Sequence, residues 1–405
     1  MALKTHQSSR RQFLASALAL PAARFDLSST VSRGCSPDQI SALPVRVLGK
    51  TGLKVTILGF GCAWTSDASV FTRGLDLGIN HFDTAPVYQG GNNEPMLRTG
   101  LGSRRKQIVL STKIEASTKG EALQQLEGSL KSLGTDYIDI WYLHGADRPE
   151  RISQDLVEAQ IAAKRQGKVR FIGVSTHRVA LVTPTILQFG NMDVVLAAYN
   201  FTMGLEVERA VESLYRAGIG LVEMKAMAGG RANSRWPGQD SLPRLFKRPG
   251  VPGASLRWVL KNDMFASALV GMLSMEEVEE NVEHCLKPFT EADQKVLVAR
   301  LEEIRPVYCR MCGACDGQCP QGLPVPDMLR YAMYADSYRQ FPTARQYFQR
   351  LPEPLRQIRC KDCSPCAVRC PNGVEVKRRL ALAQEWLAQP GGSPTSRAPR
   401  PFLEV

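Results

Sequence analysis

The sequence predicts an α/β protein: a closed (β/α)8 barrel of the TIM type, followed by a small, mainly helical domain. Three observations lead there. Between Leu48 and Cys285, eight short apolar runs alternate with amphipathic stretches, the pattern of parallel strands joined by crossover helices. Several of those runs end in one titratable residue, as happens when strand ends meet at a common mouth. Beyond about residue 300 the composition changes, and eight of the 11 cysteines fall in two tight groups. A chain of 405 residues accommodates a barrel of about 250 residues and an appendage.

Taken in order, residues 1–25 read as a signal segment rather than part of the fold. Ser9-Arg10-Arg11-Gln12-Phe13-Leu14 precedes a small-residue, modestly apolar run from Ala15 to Ala23, too short to cross a bilayer as a stable helix. The paired arginines followed by Phe-Leu resemble the twin-arginine export signal, an address read by a receptor, with Ala15 where Lys is usual. This implies the twin-arginine export machinery as a partner and the periplasm as destination, with cytoplasmic residence as the alternative. Residues 26–42 read as a linker, 43–300 as the barrel, 301–389 as the cysteine-bearing domain, and 390–405, rich in Pro, Gly, Ser and Arg, as a disordered tail. Nothing elsewhere is long and apolar enough for a transmembrane helix.

Expected barrel strands are Val55–Leu58, Ile79–Asp83, Ile108–Thr112, Ile138–Leu143, Phe171–Ser175, Val194–Ala198, Gly220–Met224 and Ala268–Val270. The clearest intervening helix carries Leu123, Leu126, Leu130 and Leu133 on one face and stops at Gly134. An open doubly wound sheet is the competing architecture, but no Gly-x-Gly-x-x-Gly follows the first strand. The net charge of +12 invites a nucleic-acid reading. However, 15 Lys/Arg against 7 Asp/Glu lie between Arg305 and Arg400, where bound anionic clusters would be compensated locally. No basic run interleaved with aromatics occurs, so nucleic acid is not an expected partner.

The chemistry concentrates at His81-Phe82-Asp83-Thr84-Ala85-Pro86-Val87-Tyr88, where a buried strand ends in a loop bearing an acid and a phenol. Lys113 ends the third run and His144 follows the fourth. By the barrel rule, Asp83, Tyr88, Lys113 and His144 converge on one mouth as a proton-handling group. With Gly78-Ile79-Asn80 before this stretch, Glu94, Ser111-Thr112-Lys113, Asp136-Tyr137-Ile138-Asp139, Leu143-His144, the run Gly167 to Ser175, Tyr199-Asn200 and Glu280-Asn281, the chain resembles the aldo/keto reductases over about Leu48 to Cys285.

That resemblance implies a barrel binding NADP(H), with NAD possible, at its strand ends, and a small-molecule carbonyl or alcohol substrate. It implies Asp83, Tyr88, Lys113 and His144 as catalytic, and Ser175, Thr176, Tyr199, Gly271, Ser274, Glu280 and Asn281 as cofactor-binding. In these roles Tyr88 is the general acid. Lys113 favours its phenolate and lowers a pKa otherwise near about 10. Asp83 holds Lys113, and His144 orients the substrate oxygen. The chain departs from the family pattern at Leu196, where Gln is common, and at Thr176, where Asn is usual. Val270-Gly271-Met272-Leu273-Ser274 lacks the basic residue often set against a 2′-phosphate. Cys62, Cys285 and His81 read as packing residues, and His177 as a loop residue.

Cys309, Cys312, Cys315 and Cys319 stand at Cys-x2-Cys-x2-Cys-x3-Cys before Pro320, and Cys360, Cys363, Cys366 and Cys370 repeat this before Pro371. This is the ligand run of two-cluster bacterial ferredoxins, whose fourth cysteine crosses to the other cluster. Two [4Fe-4S] clusters are therefore expected, one on Cys309, Cys312, Cys315 and Cys370, the other on Cys360, Cys363, Cys366 and Cys319. A third Cys three positions on argues against zinc, and such tight spacing argues against local disulfides. Helical patterns at Pro326–Tyr338 and Thr343–Leu351 make the domain a helical ferredoxin-like one. The expected function is an oxidoreductase that moves hydride between nicotinamide and a carbonyl or alcohol, accompanied by two electron-transfer clusters. The alternatives are a nicotinamide-binding electron-transfer or redox-sensing protein, and a carbonyl reductase with structural clusters. Hydride carries two electrons and a cubane one, so a flavoprotein partner is one way to couple them.

Overall fold

In the computed structural model, residues 42–228, 250–336, 338 and 340–388 are described. The signal segment, most of the linker and the tail expected above lie outside them. The described residues open with an antiparallel hairpin, β1 (Val45–Val47) and β2 (Lys54–Thr56). Eight parallel strands then close in the order β10-β3-β4-β5-β6-β7-β8-β9. They are β3 (Leu58–Gly61), β4 (His81–Asp83), β5 (Val109–Ile114), β6 (Ile138–Leu143), β7 (Val169–Thr176), β8 (Val194–Ala198), β9 (Gly220–Met224) and β10 (Phe265–Val270).

One strand differs from expectation. The first apolar run, Val55–Leu58, divides between the hairpin and β3. The reason is the barrel floor. Leu48, Leu53 and Val55 pack with Ile140, Val194 and Val222 in the barrel interior, so the hairpin closes the bottom. Arg46 secures it by donating to the carbonyls of Phe265, at 2.7 Å, and Leu260, at 2.8 Å. The turn needs glycine: Gly49 has φ +49°, and a Cβ there would lie 2.3 Å from the Gly220 nitrogen.

The crossover helices are α1 (Ala68–Asp76), α2 (Asn93–Leu101), α3 (Lys119–Leu133), α4 (Gln154–Arg165), α5 (Val179–Phe189), α6 (Leu205–Arg216), α7 (Val251–Leu260) and α8 (Met275–Cys285). Helix α3 shows how the sequence sets them. Thr118 and Glu121 form a reciprocal capping box, Leu126, Leu130 and Leu133 are buried, and Gly134 stops the helix in the left-handed region.

Helix α9 (Glu291–Ile304) leads out of the barrel. Beyond it come α10 (Val325–Asp336), α11 (Phe341–Gln349), α12 (Glu353–Gln357) and α13 (Val376–Ala388), with no strand among the described residues. These helices do not stand apart. Met328, Leu329, Ala332 and Phe348 belong to the same apolar core as the barrel's outer layer, and α10 and α11 lie over the barrel mouth. No helix among the described residues is long and apolar enough to cross a membrane.

Candidate active site

The carboxyl ends of the strands bring three of the four predicted catalytic residues to one place, and the turn after β4 adds the fourth. Asp83 ends β4, Lys113 lies in β5, and His144 directly follows β6. Lys113 and Asp83 form a buried ion pair, and Lys113 Nζ also donates to the Thr84 carbonyl at 2.8 Å. Ser111 Oγ donates to the other Asp83 oxygen at 2.6 Å. The buried pair is thus supported by further local hydrogen bonds, as a buried charge requires. Tyr88 stands in a short turn after β4, its ring centroid 4.8 Å from Lys113 Nζ and 5.9 Å, edge-on, from the His144 ring.

One expected effect is not found. Burial, followed by the Asp83 charge, pushes the Tyr88 phenol well above its ordinary value.

These residues open into a cavity of about 700 Å³. Its floor and walls are the strand ends. Its roof comes from the cysteine-bearing domain: Arg330, Tyr334 and Tyr338, then Tyr347 and Arg350. Two barrel carboxylates pin that roof. Glu115 lies 3.0 Å from His144 Nδ1 and accepts from Arg350 at 2.9 Å. Burial alone would raise its pKa, but His144 and Arg350 outweigh it and hold Glu115 at about 2. Asp147 pairs with Arg330 and with His177, at 3.1 Å. Its carboxyl is held well below the usual range, the His177 and Arg330 charges prevailing over burial. His177 itself is pushed down to about 4, first by burial. His177 therefore lies beneath the roof, and its Nε2 is 3.4 Å from the Tyr334 hydroxyl.

The predicted cofactor residues divide. Ser175, Gly271 and Asn281 line the cavity. Tyr199 does not. Its ring is buried against Trp258 and Phe265, and its hydroxyl donates to Glu208 at 2.7 Å. Thr176 is bound to Asp147, and Ser274 caps α8 through the Glu277 amide. Glu280 is exposed, whereas Glu277, one turn earlier, is buried and faces the cavity. Helical period would have found it, since Glu277 shares a face with Val278, Asn281 and Val282. Lys225, just past the end of β9, was also missed as a site residue, although it obeys the strand-end rule that selected Asp83.

In the second domain, the thiols sort into two neighbourhoods. Burial pushes Cys309 up to about 12, and the cysteines acting on it are Cys315, Cys312 and Cys370. Burial likewise pushes Cys360 up to about 11, its neighbours being Cys363, Cys319 and Cys366. Both groups cross the two sequence runs. Among the described residues, no three or more His, Cys, Asp or Glu side chains gather around a single metal ion.

Comparison with known proteins accords with this geometry. Residues 66–241 match the aldo/keto reductase family. Over these residues the barrel is an aldo/keto reductase domain. Residues 308–375 match the 4Fe-4S dicluster domain, and the protein is an oxidoreductase. The aldo/keto reductase domain is similar to L-galactose dehydrogenase of Arabidopsis thaliana, 28% identical over 281 residues covering 60% of this chain and 88% of that one. It is also similar to the NADH-specific methylglyoxal reductase of Escherichia coli, 26% identical over 296 residues, 58% and 89% of the two chains. Among solved structures, the holo form of aldo-keto reductase AKR11C1 from Bacillus halodurans superposes with a TM-score of 0.53 at 25% identity, covering 64% of this chain and 96% of that one.

Proposed function

We propose that the protein reduces an aldehyde or ketone, or oxidises the corresponding alcohol, with NADP(H) as hydride carrier. The observation that carries this reading is the buried Asp83–Lys113 pair beside Tyr88 and His144 within one roofed cavity. Ser175, Gly271 and Asn281 fit a nicotinamide cofactor. They line the cavity, and a Cβ at Gly271 would come within 2.9 Å of Trp64, narrowing the space there. When bound, the reduced cofactor supplies hydride. The chain's own part is the proton: Tyr88 delivers it to the carbonyl oxygen, and His144, oriented by Glu115, receives that oxygen as a second donor. The Lys113–Asp83 pair fixes the charge beneath Tyr88, and the roof excludes water. In nucleotide choice the absence of a basic residue at Val270–Ser274 leaves NAD(H) usable, and the E. coli relative is itself NADH-specific.

Tyr88→Phe should lower the NADPH-dependent reduction of 4-nitrobenzaldehyde by about 10²–10⁴-fold while iron content stays constant. Retention of full activity would place the chemistry elsewhere.

The two thiol neighbourhoods fit two [4Fe-4S] clusters, held by Cys309, Cys312, Cys315 and Cys370 and by Cys360, Cys363, Cys366 and Cys319. Such clusters would supply one-electron capacity, and a flavoprotein partner would match it to hydride. The roof favours a second role as well: helices between the two cysteine runs cover the active site, so the clusters also serve as staples for the cavity. The segment Ser9–Leu14 supports export to the periplasm by the twin-arginine route, and finding the protein in the cytosol with residues 1–25 intact would refute that.

A further inference from the structure

The cations lining the cavity are not equivalent. Lys113 is held by Asp83, Arg330 by Asp147 and Asp327, and Arg350 by Glu115, while Arg151 is exposed. Lys225 has no carboxylate within ion-pair distance among the described residues. Its ammonium instead sits 5.1 Å from the ring centroid of Tyr334 and 4.8 Å from that of Tyr338. Both rings belong to the roof, and Tyr338 stacks in turn on Trp64 of the barrel, centroids 6.2 Å apart. The seat of this lysine is therefore built by both domains.

The backbone beneath it is strained. Lys225 has φ +71°, a conformation disfavoured for a side chain of this size. Asn200 Nδ2 holds it there by donating to the Lys225 carbonyl at 3.1 Å. Outliers of this kind persist where the surrounding structure imposes them, often at ligand sites. Cation–π contact offsets only part of the cost of desolvating an ammonium. Burial, then Arg330, push this amine down to about 7. What the amine lacks, among the described residues, is an anion in direct contact with it.

Resting on the carbonyl-reductase reading, we propose that Lys225, seated beneath Tyr334 and Tyr338, binds an anionic group carried by the carbonyl substrate, so that the preferred substrates are oxo acids or phosphorylated carbonyl compounds rather than neutral ones. The chief rival source of the same chemistry is the pyrophosphate of the cofactor, and the test separates the two.

The test compares 4-carboxybenzaldehyde with 4-methylbenzaldehyde as substrates of the full, cluster-loaded chain under anaerobic conditions with NADPH. Wild type should favour the carboxylate, and Lys225→Met should lower the ratio of the two kcat/KM values at least about tenfold. Lys225→Arg, which keeps the charge, should retain most of the preference. Calorimetric titration with benzoate and benzamide reads the same site without turnover: benzoate should bind wild type more tightly than benzamide, and Lys225→Met should erase the difference. Benzoate affinity should also fall as pH rises past about 7. The groups facing Lys225 are Tyr334, Tyr338 and Arg330 of the roof, and Asp147, His177 and Glu223 of the barrel. An unchanged ratio with unchanged benzoate binding overturns the proposal. So does a loss of NADPH affinity in Lys225→Met with the benzoate preference intact, which would assign the lysine to the cofactor. If wild type reduces neither aldehyde, the reductase reading fails, and the benzoate arm still decides for or against the anion site. Should Lys225→Met not fold, a wild type indifferent between benzoate and benzamide is sufficient refutation.

Discussion

The barrel and the dicluster domain are built differently. In the barrel, each strand is paired on both sides, the interior is filled by branched side chains, and a hairpin closes the floor. Burial of such a core is enough to specify one structure. The dicluster domain has helices but no strand among its described residues, and its two cysteine neighbourhoods draw on both ends of the segment. Beyond its own buried apolar residues it leans on the barrel: Arg178–Asp316 at 3.1 Å, Arg310–Glu206 at 2.9 Å, and the roof pairs. Even Gly313 participates, because a Cβ there would lie 1.9 Å from the Arg178 guanidinium. The helices of the dicluster domain thus complete a cavity whose floor and walls belong to the barrel.

The largest break of this comparison should come from the cysteines. Replacing Cys309 or Cys360, both buried, by Ala should remove about half of roughly eight irons per chain, and should expose residues beyond about 305 to protease while the barrel remains intact. Metal binding that supplies folding energy behaves in this way. Iron and sulfide analysis with limited proteolysis checks it. Simultaneous digestion of barrel and appendage would show that the two are one folding unit, and bound zinc without sulfide would overturn the cluster assignment.

Next in size is the ion pair at the site. Lys113→Met leaves Asp83 buried without its partner, so stability should fall by about 3–5 kcal/mol along with activity. Adding Asp83→Asn should recover much of the stability and none of the activity. Denaturant unfolding of both variants, read beside turnover, separates the two roles. Recovery of turnover in the double variant would remove Lys113 from the mechanism.

How much of this was legible in the sequence follows the same division. The strand ends were readable because a parallel strand is a largely apolar run and the titratable residue at or near its end marks the mouth, as with Asp83 and Lys113. Val55–Leu58 failed because its apolar residues serve two elements, the floor and the first strand. Tyr199 failed because a strand-end aromatic can face either the mouth or the helices, and Trp258 and Phe265 sit on the helix side. The cysteine spacing carried its grouping directly. The roof carried no local signal: Tyr334, Tyr338 and Tyr347 read as ordinary residues of amphipathic helices, and only tertiary contact sets them over Tyr88 and Lys225.

The smallest expected effect probes how firmly that roof is held. The Arg350 side chain is 47% exposed, and its partner Glu115 is only 21% exposed. Solvent screens such a pair, so Arg350→Met should cost at most about 1 kcal/mol. Amide hydrogen exchange in Phe341–Gln349 should then accelerate no more than about fivefold, with the barrel strands unchanged. The pH dependence follows from the Glu115 carboxyl, whose folded value of about 2 lies below its ordinary one. Its contribution is fully present above the ordinary carboxylate range and is lost only as pH falls toward 2. The Arg350→Met effect should therefore be flat from pH 8 to about pH 5. A much larger acceleration would mean that this one pair holds the roof shut, making access to the cavity a property of Glu115 and Arg350 rather than of the clusters. A null effect would leave the buried Arg330–Asp147 pair and the apolar packing of α10 as what keeps the roof on the barrel.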